Sequence, residues 1–230
     1  MIVALTPAAL DFLFENRLHN SRTWYQEHKA DLNQWVIHPC QELVRELTDF
    51  MLQVDDQIIV EPRIDRTISR IYRDVRRIRD GMLYRDVVWL QFARDKKDYP
   101  ERPSFYFQFS PRGYDYGCGF YRASPTTMKK LRELILENDP AFQAAFDAFE
   151  GQNLYHLEGE CYKRSPFPHA DSKIKNFLDR RSICAVHDGT DPQLLFSDQL
   201  GQQLIQDFQP LVPLYRLFLK AQQLSSDETT

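Results

Sequence analysis

Apolar residues recur at three- and four-residue steps through most of the chain, and the steps begin where a helix start is written into the sequence. Thr6-Pro7, Ser124-Pro125 and Asp139-Pro140 each place an oxygen-bearing side chain before a proline. The oxygen accepts an orphan backbone N–H, and the proline sits where a missing N–H costs nothing. Leu10, Leu13 and Phe14 follow the first start, Met128, Leu131, Leu134 and Ile135 the second, Phe142, Ala145, Phe146 and Phe149 the third. The spacing predicts three amphipathic helices. Ser21 opens another, with Trp24, His28, Leu32 and Trp35 on one side. Pro39 is expected to interrupt or kink it before Leu43, Leu47, Phe50 and Met51 resume the stripe.

From about Val87 the period shortens to two. Val88, Leu90 and Phe92 alternate with their neighbours, as do Phe105, Phe107 and Phe109, then Tyr114, Tyr116, Cys118 and Phe120. This is strand patterning. Ser110-Pro111-Arg112-Gly113 between the last two runs has the residues of a β-turn, so they form an antiparallel hairpin. The charged stretch from Asp95 to Arg102 reads as a loop and the most exposed proteolytic site. Helical spacing returns after Asp171 (Ile174, Phe177, Leu178) and Ser197 (Leu200, Leu204, Ile205, Phe208), with Pro210 and Pro213 bending or ending the last run. The predicted fold is α+β: N-terminal helices, a central antiparallel sheet and C-terminal helices, one domain over 1–224 with a disordered tail at 225–230.

Composition narrows the function classes. The 230 residues, 43% hydrophobic, suffice for one full core. Twenty-nine basic against thirty-three acidic residues give a net charge of −4, which disfavours general nucleic-acid coating. Cys40, Cys118, Cys161 and Cys184 are widely spaced with no CxxC pair, so reduced thiols and a cytoplasmic setting are expected. No stretch approaches the roughly 20 apolar residues of a membrane span. Neither GxSxG, GxGxxG nor a P-loop is present, and no cofactor is expected. His156, Cys161, His169, Cys184 and His187 are ligand-type residues, but only Cys184-x-x-His187 has a metal-like spacing, so no metal is expected either. Core packing is the default for the aromatic residues, with Tyr106, Tyr114 and Tyr116 the better candidates for an exposed aromatic surface.

One segment departs from this ordinary composition. Arg63, Arg66, Arg70, Arg73, Arg76, Arg77, Arg79 and Arg85 fall within twenty-three residues holding three acids, Asp65, Asp74 and Asp80, a local charge of +5 on an acidic protein. Guanidinium forks match carboxylate and phosphate geometry and stay charged. The segment's conformation is open: a strand puts Arg70, Tyr72, Asp74 and Arg76 on one face, a helix Arg70, Arg73, Asp74 and Arg77.

Arg70-Ile71-Tyr72-Arg73-Asp74-Val75-Arg76, with Asp80 and Tyr84, resembles the central motif of domain-of-unknown-function family 2461, a group of uncharacterised, mostly bacterial proteins. Phe12-Leu13, Asn20, Arg22, Trp24-Tyr25, Lys29 and Pro39 resemble its N-terminal helix pair. Tyr106, Gly117 to Tyr121, Leu131-Arg132 and Lys163 to Pro166 resemble later landmarks, so the similarity runs from about 8 to 219. The family's usual lysines in the central stretch are absent: this chain has Arg76-Arg77, Asp80-Gly81 and Leu83-Tyr84-Arg85. The resemblance implies a group, not an activity.

Three functional readings follow. The first is a pocket for a phosphorylated or carboxylated small molecule, walled by Arg70, Arg73, Arg76 and Lys163, joined by Arg22 and Arg85, with Tyr72 or Tyr84 as donor and Asp74 orienting arginines or acting as a catalytic base. The second is a nucleic-acid or acidic-partner binding module, against which the net charge counts. The third is a structural network tying the arginines to acids such as Glu42, Glu46 and Asp49, with function through protein partners. The oligomeric state stays open.

Overall fold

The computed structural model describes residues 4–74, 76, 80–94 and 101–227. In chain order it has helices α1 (Pro7–His19), α2 (Arg22–Glu27), α3 (Lys29–Asp31) and α4 (His38–Val54), strands β1 (Val88–Phe92), β2 (Pro103–Ser110) and β3 (Gly113–Phe120), helices α5 (Pro125–Leu136) and α6 (Pro140–Glu150), strand β4 (His156–Glu158), helix α7 (Ser172–Leu178), strand β5 (Cys184–Gly189), and helices α8 (Pro192–Leu195), α9 (Leu200–Phe208) and α10 (Val212–Asp227). The strands form one antiparallel sheet in the order β1-β2-β3-β5-β4. The fold class is therefore α+β, with helices at both ends of the chain. No helix among the described residues is long and apolar enough to cross a membrane.

The contacts group into two compact units, neither continuous in sequence: residues 1–92, 106–115 and 188–205 in the first, and 93–105, 116–187 and 206–230 in the second. In unit 1, Pro7 starts α1, although the Thr6 side chain makes no capping bond. The face that α1 buries is Ala9, Phe12, Leu13 and Asn16, whereas Phe14 is 54% exposed. The expected stripe of Leu10, Leu13 and Phe14 is rotated, because the true stripe ends on a polar residue that a hydrophobic count passes over. Ser21 caps α2 by accepting from the Trp24 N–H.

Pro39 does not break the helix that follows. Residues Leu32–Ile37 widen into a π-helix, in which the His38 N–H reaches Asn33 O, and α4 runs on from there. The wider turn precedes a residue that has no N–H to give and whose ring crowds the carbonyl four positions back. Leu43, Val44, Leu47, Phe50 and Met51 then line the buried face of α4.

In unit 2, Ser124 accepts from the Thr127 N–H and Asp139 from the Ala141 N–H, so two of the sequence's start signals are realised as side-chain caps. Asp171 does the same for α7, accepting from Lys173. Phe142, Phe146 and Phe149 of α6 meet Phe177 of α7 at ring separations of 5.7–6.1 Å. Helix α10 packs along α5 and α6. It continues to Asp227, and the buried Ser225 hydroxyl bonds Thr127, so 225–227 are helical and not part of a disordered tail. Residues 228–230, and positions 95–100 of the loop expected at 95–102, lie outside the described residues.

The expected exposed aromatic surface is corrected as well. Tyr114 and Tyr116 are 6% and 1% exposed, and Tyr106 is half-buried. Every residue from Tyr116 to Phe120 is buried, so alternation in β3 does not translate into one wet face. Gly117 is required there, because a Cβ at that position would lie 1.9 Å from the Ala185 carbonyl oxygen of β5.

Candidate functional site

From Ile68 to Asp74 the described chain forms no helix and pairs instead as an irregular antiparallel ladder in unit 1. The Arg73 N–H bonds Leu83 O at 2.9 Å, Arg85 N–H bonds Ile71 O at 2.8 Å, and Ser69 N–H bonds Trp89 O at 2.9 Å. Tyr72 thereby pairs with Tyr84 and Ile68 with Leu90. Ile71 is buried while Arg70, Tyr72 and Asp74 are exposed, the alternation of a strand; Arg76, also exposed, lies past the ladder in a helical turn. Asn20 ties this ladder to α1. At the helix C-cap it adopts a left-handed conformation (φ 47°), and its amide donates to Gly81 O (3.0 Å) while accepting from the Leu83 N–H (2.7 Å). Gly81 turns the chain there with φ +72°, a backbone shape that asks for glycine.

Each described arginine of the segment has a local partner. Arg63 and Arg66 flank Glu61 (4.0 and 3.5 Å), and Arg70 reaches Asp65 (3.1 Å). Arg73, half-buried, bonds both carboxylate oxygens of Asp80 (2.7 and 2.8 Å) and the Met82 carbonyl (3.2 Å). That hydrogen bond, with one from the Met82 N–H, holds the Asp80 carboxyl below its ordinary range. Arg76 pairs in a fork with Asp74 at 3.0 Å on each arm. Arg85 donates to the Arg70 and Tyr72 carbonyls (3.0 and 3.1 Å) and lies 4.9 Å over the Trp89 ring. The acids that pair with the described arginines are Glu61, just ahead of the segment, and Asp65, Asp74 and Asp80 within it, not Glu42, Glu46 or Asp49 as expected. Glu42 faces Arg45 and His38, and Glu46 faces Gln202. Arg77 and Arg79 lie outside the described residues.

Beside the ladder three tyrosine rings meet. Tyr25 of α2 stacks on Tyr84 with ring centroids 5.1 Å apart, and Tyr72 stands edge-on to Tyr25 (4.7 Å) and tilted against Tyr84 (5.2 Å). Burial, then a hydrogen bond with Tyr72, pushes the Tyr25 hydroxyl's pKa up. Burial also raises that of Tyr84, as does Tyr72, against the opposing charge of Arg22. Both Tyr25 and Tyr84 therefore stay protonated at neutral pH. Tyr84 is 0% exposed, and its hydroxyl has no hydrogen-bond partner among the described residues. The same is true of both side-chain polar atoms of Asn16, also 0% exposed. A buried polar group left unpaired costs about 1–3 kcal/mol. Such groups cluster where a protein meets a ligand or an enclosed water.

A family model described as conserved hypothetical protein (DUF2461) matches residues 8–217. The chain belongs to this family. No curated protein matches it. The DUF2461 match spans both units and every residue of the tyrosine cluster. The residues expected to form a site fall into three sets within it. Tyr72 and Tyr84 are in ring contact and the charge of Arg22 acts on Tyr84, whereas Arg73 is held by Asp80 and the Met82 carbonyl. Arg70, Asp74 and Arg85 lie on the same ladder and Arg76 just past it, all with local partners. Lys163 is an exposed loop residue of unit 2.

Asn16 and Tyr25 were not among the expected site residues. Tyr25 stands within the family's N-terminal landmark, where it reads as a core aromatic. Asn16 had one signal, a polar residue seven positions after Ala9 on what proves to be the buried stripe. Cys184 and His187 both lie on β5, where a three-residue step points them to opposite faces, a poor start for a shared metal.

Proposed function

We propose that this DUF2461 protein recognises an anionic small molecule, phosphorylated or carboxylated, at the tyrosine cluster of unit 1. The observation that carries the reading is the Tyr84 hydroxyl, covered and unpartnered beneath the half-exposed ring of Tyr72. A donor held that way, close enough to Arg22 for its charge to act on the tyrosine, suits an oxyanion. Arg22 supplies the positive charge, Tyr84 the buried donor and Tyr72 the wall. Arg70, Arg73, Arg76 and Arg85 frame the site through their local partners. Asp74, with both oxygens already accepting from Arg76, orients that arginine and is poorly placed to act as a base.

The pairing of the six described arginines with neighbouring acids and carbonyls favours a second reading for the segment itself, a structural network. It also counts against an open stripe for a nucleic-acid backbone, which needs guanidinium groups not already balanced by carboxylates. The test is thermal unfolding with inorganic phosphate, sugar phosphates, nucleotides, simple carboxylates and short oligonucleotides. A ligand at about a hundred times its dissociation constant stabilises by about 2.7 kcal/mol. A raised midpoint with one anion class, lost in Arg22→Ala and kept in Arg76→Ala, is the expected result. A midpoint unmoved by every anion, or a shift that survives in Arg22→Ala, overturns the reading.

A further inference from the structure

Asn16 brings a second demand to the same site. Arg17, its neighbour on α1, reaches Asp86 at 3.6 Å, and Asn20, one turn on, grips Gly81 and Leu83. The last turn of α1 is therefore laid along residues 81–86, with Tyr84 at the middle of the stretch. Asn16 lies one turn before Asn20 on the same face of the helix, which sets its unpartnered amide on the side of α1 from which Asn20 holds this stretch. An amide is not satisfied by a bare anion. Its nitrogen donates, but its oxygen requires a donor in return, whichever way the group is turned.

We infer that the anion taken by this site carries a hydroxyl beside its charged group, as in a hydroxycarboxylate or a phosphate monoester of a polyol. The hydroxyl donates to Asn16 Oδ1 and accepts from Asn16 Nδ2, while the charged oxygens accept from Tyr84 and face Arg22. The inference rests on the anion-binding reading above and adds the chemistry that selects among anions. A site that holds a hydroxyl with buried polar partners discriminates strongly against the analogue lacking it, since those partners are then left unpaired.

The experiment compares matched pairs by calorimetric titration: propionate with lactate, and methyl phosphate with glycerol phosphate. The two pairs also separate a carboxylate site from a phosphate site. The hydroxyl-bearing member is expected to bind about tenfold more tightly in the better pair, the worth of one buried hydrogen bond. Asn16→Leu, of similar volume, should erase the difference while keeping affinity for the plain anion. Equal affinities within both pairs in the unaltered protein overturn this inference and leave the anion site standing, with Asn16 holding an enclosed water only. A preference that persists in folded Asn16→Leu removes Asn16 from the selection. Absence of binding by all four compounds overturns the anion site and this inference together. The comparison within the unaltered protein decides the matter even where Asn16→Leu does not fold.

Discussion

Each unit holds a cluster of tyrosines, and the two differ in what becomes of a buried hydroxyl group. In unit 2, Tyr116 donates to Asp207 Oδ2 at 2.5 Å and Tyr155 donates to the Asp207 carbonyl at 2.8 Å. His187 lies against the Tyr116 ring (4.8 Å) with its Nδ1 at Leu154 O, 3.1 Å away. Every one of those polar groups has a partner inside the protein, and the cluster needs nothing further. In unit 1 the Tyr84 hydroxyl and the Asn16 amide have none among the described residues. The difference teaches where to look: the residues of highest charge density, the arginines, are satisfied by their neighbours, and the unmet demand sits on neutral side chains beside them.

The comparison is broken most forcefully at Tyr116. Tyr116→Phe removes the bond that its hydroxyl gives the Asp207 carboxylate, and a hydrogen bond to a charged group is worth about 2 kcal/mol. Urea denaturation should show a loss of that size at unchanged slope. Next comes Asp139, whose carboxylate caps α6 through the Ala141 N–H and accepts from Lys220 at 2.7 Å. Asp139→Ala should cost about 1 kcal/mol by the same measurement, the usual worth of an N-cap.

Acid sharpens the contrast in unit 1. Burial alone would raise the Asp86 carboxyl, but the hydrogen bond from Arg112 (2.6 Å) and the charge of Arg17 hold it below its ordinary range, as Arg73 holds Asp80. Carboxyls that titrate lower folded than unfolded add stability above the unfolded pKa of about 4, and lose it as pH falls through the folded one. The melting midpoint should therefore stay level in this respect from pH 7 to about 5 and drop below about 4. Asp86→Asn should make that acid fall shallower. The smallest effect is expected at Arg76, whose fork with Asp74 stands in solvent. Arg76→Ala should leave the melting midpoint unmoved.

Much of this architecture was legible before any coordinates. The proline-led starts, the stripes of α5 and α6 and the 103–120 hairpin follow from periodicity and capping, which are local. What escaped was set by tertiary contact. Pro39 is accommodated by a π turn that no propensity announces. Tyr114 and Tyr116 are buried because both faces of β3 are covered, and a two-residue period says nothing about the second face. Of the residues proposed for the site, Arg22, Tyr72 and Tyr84 stand out in the sequence by residue type and by the family motif. The arginine segment stands out by composition, yet its charge is met by acids close by, as Arg73 meets Asp80, pairings that composition does not announce. Asn16 was invisible because a lone asparagine in a helix reads as solvated until the stripe it belongs to is seen to be buried.

The central claim, that unit 1 keeps a buried donor open for an anion, is tested most directly by Tyr84→Phe. Its melting midpoint should be measured without additive and with whichever anion most stabilises the unaltered protein. The account predicts a midpoint higher than that of the unaltered protein without anion, since an unpaired buried hydroxyl is removed, by about 1 kcal/mol. It also predicts that the anion no longer moves the midpoint. A variant that melts lower, or that keeps the full anion-induced shift, would show that the Tyr84 hydroxyl serves the fold and not a ligand.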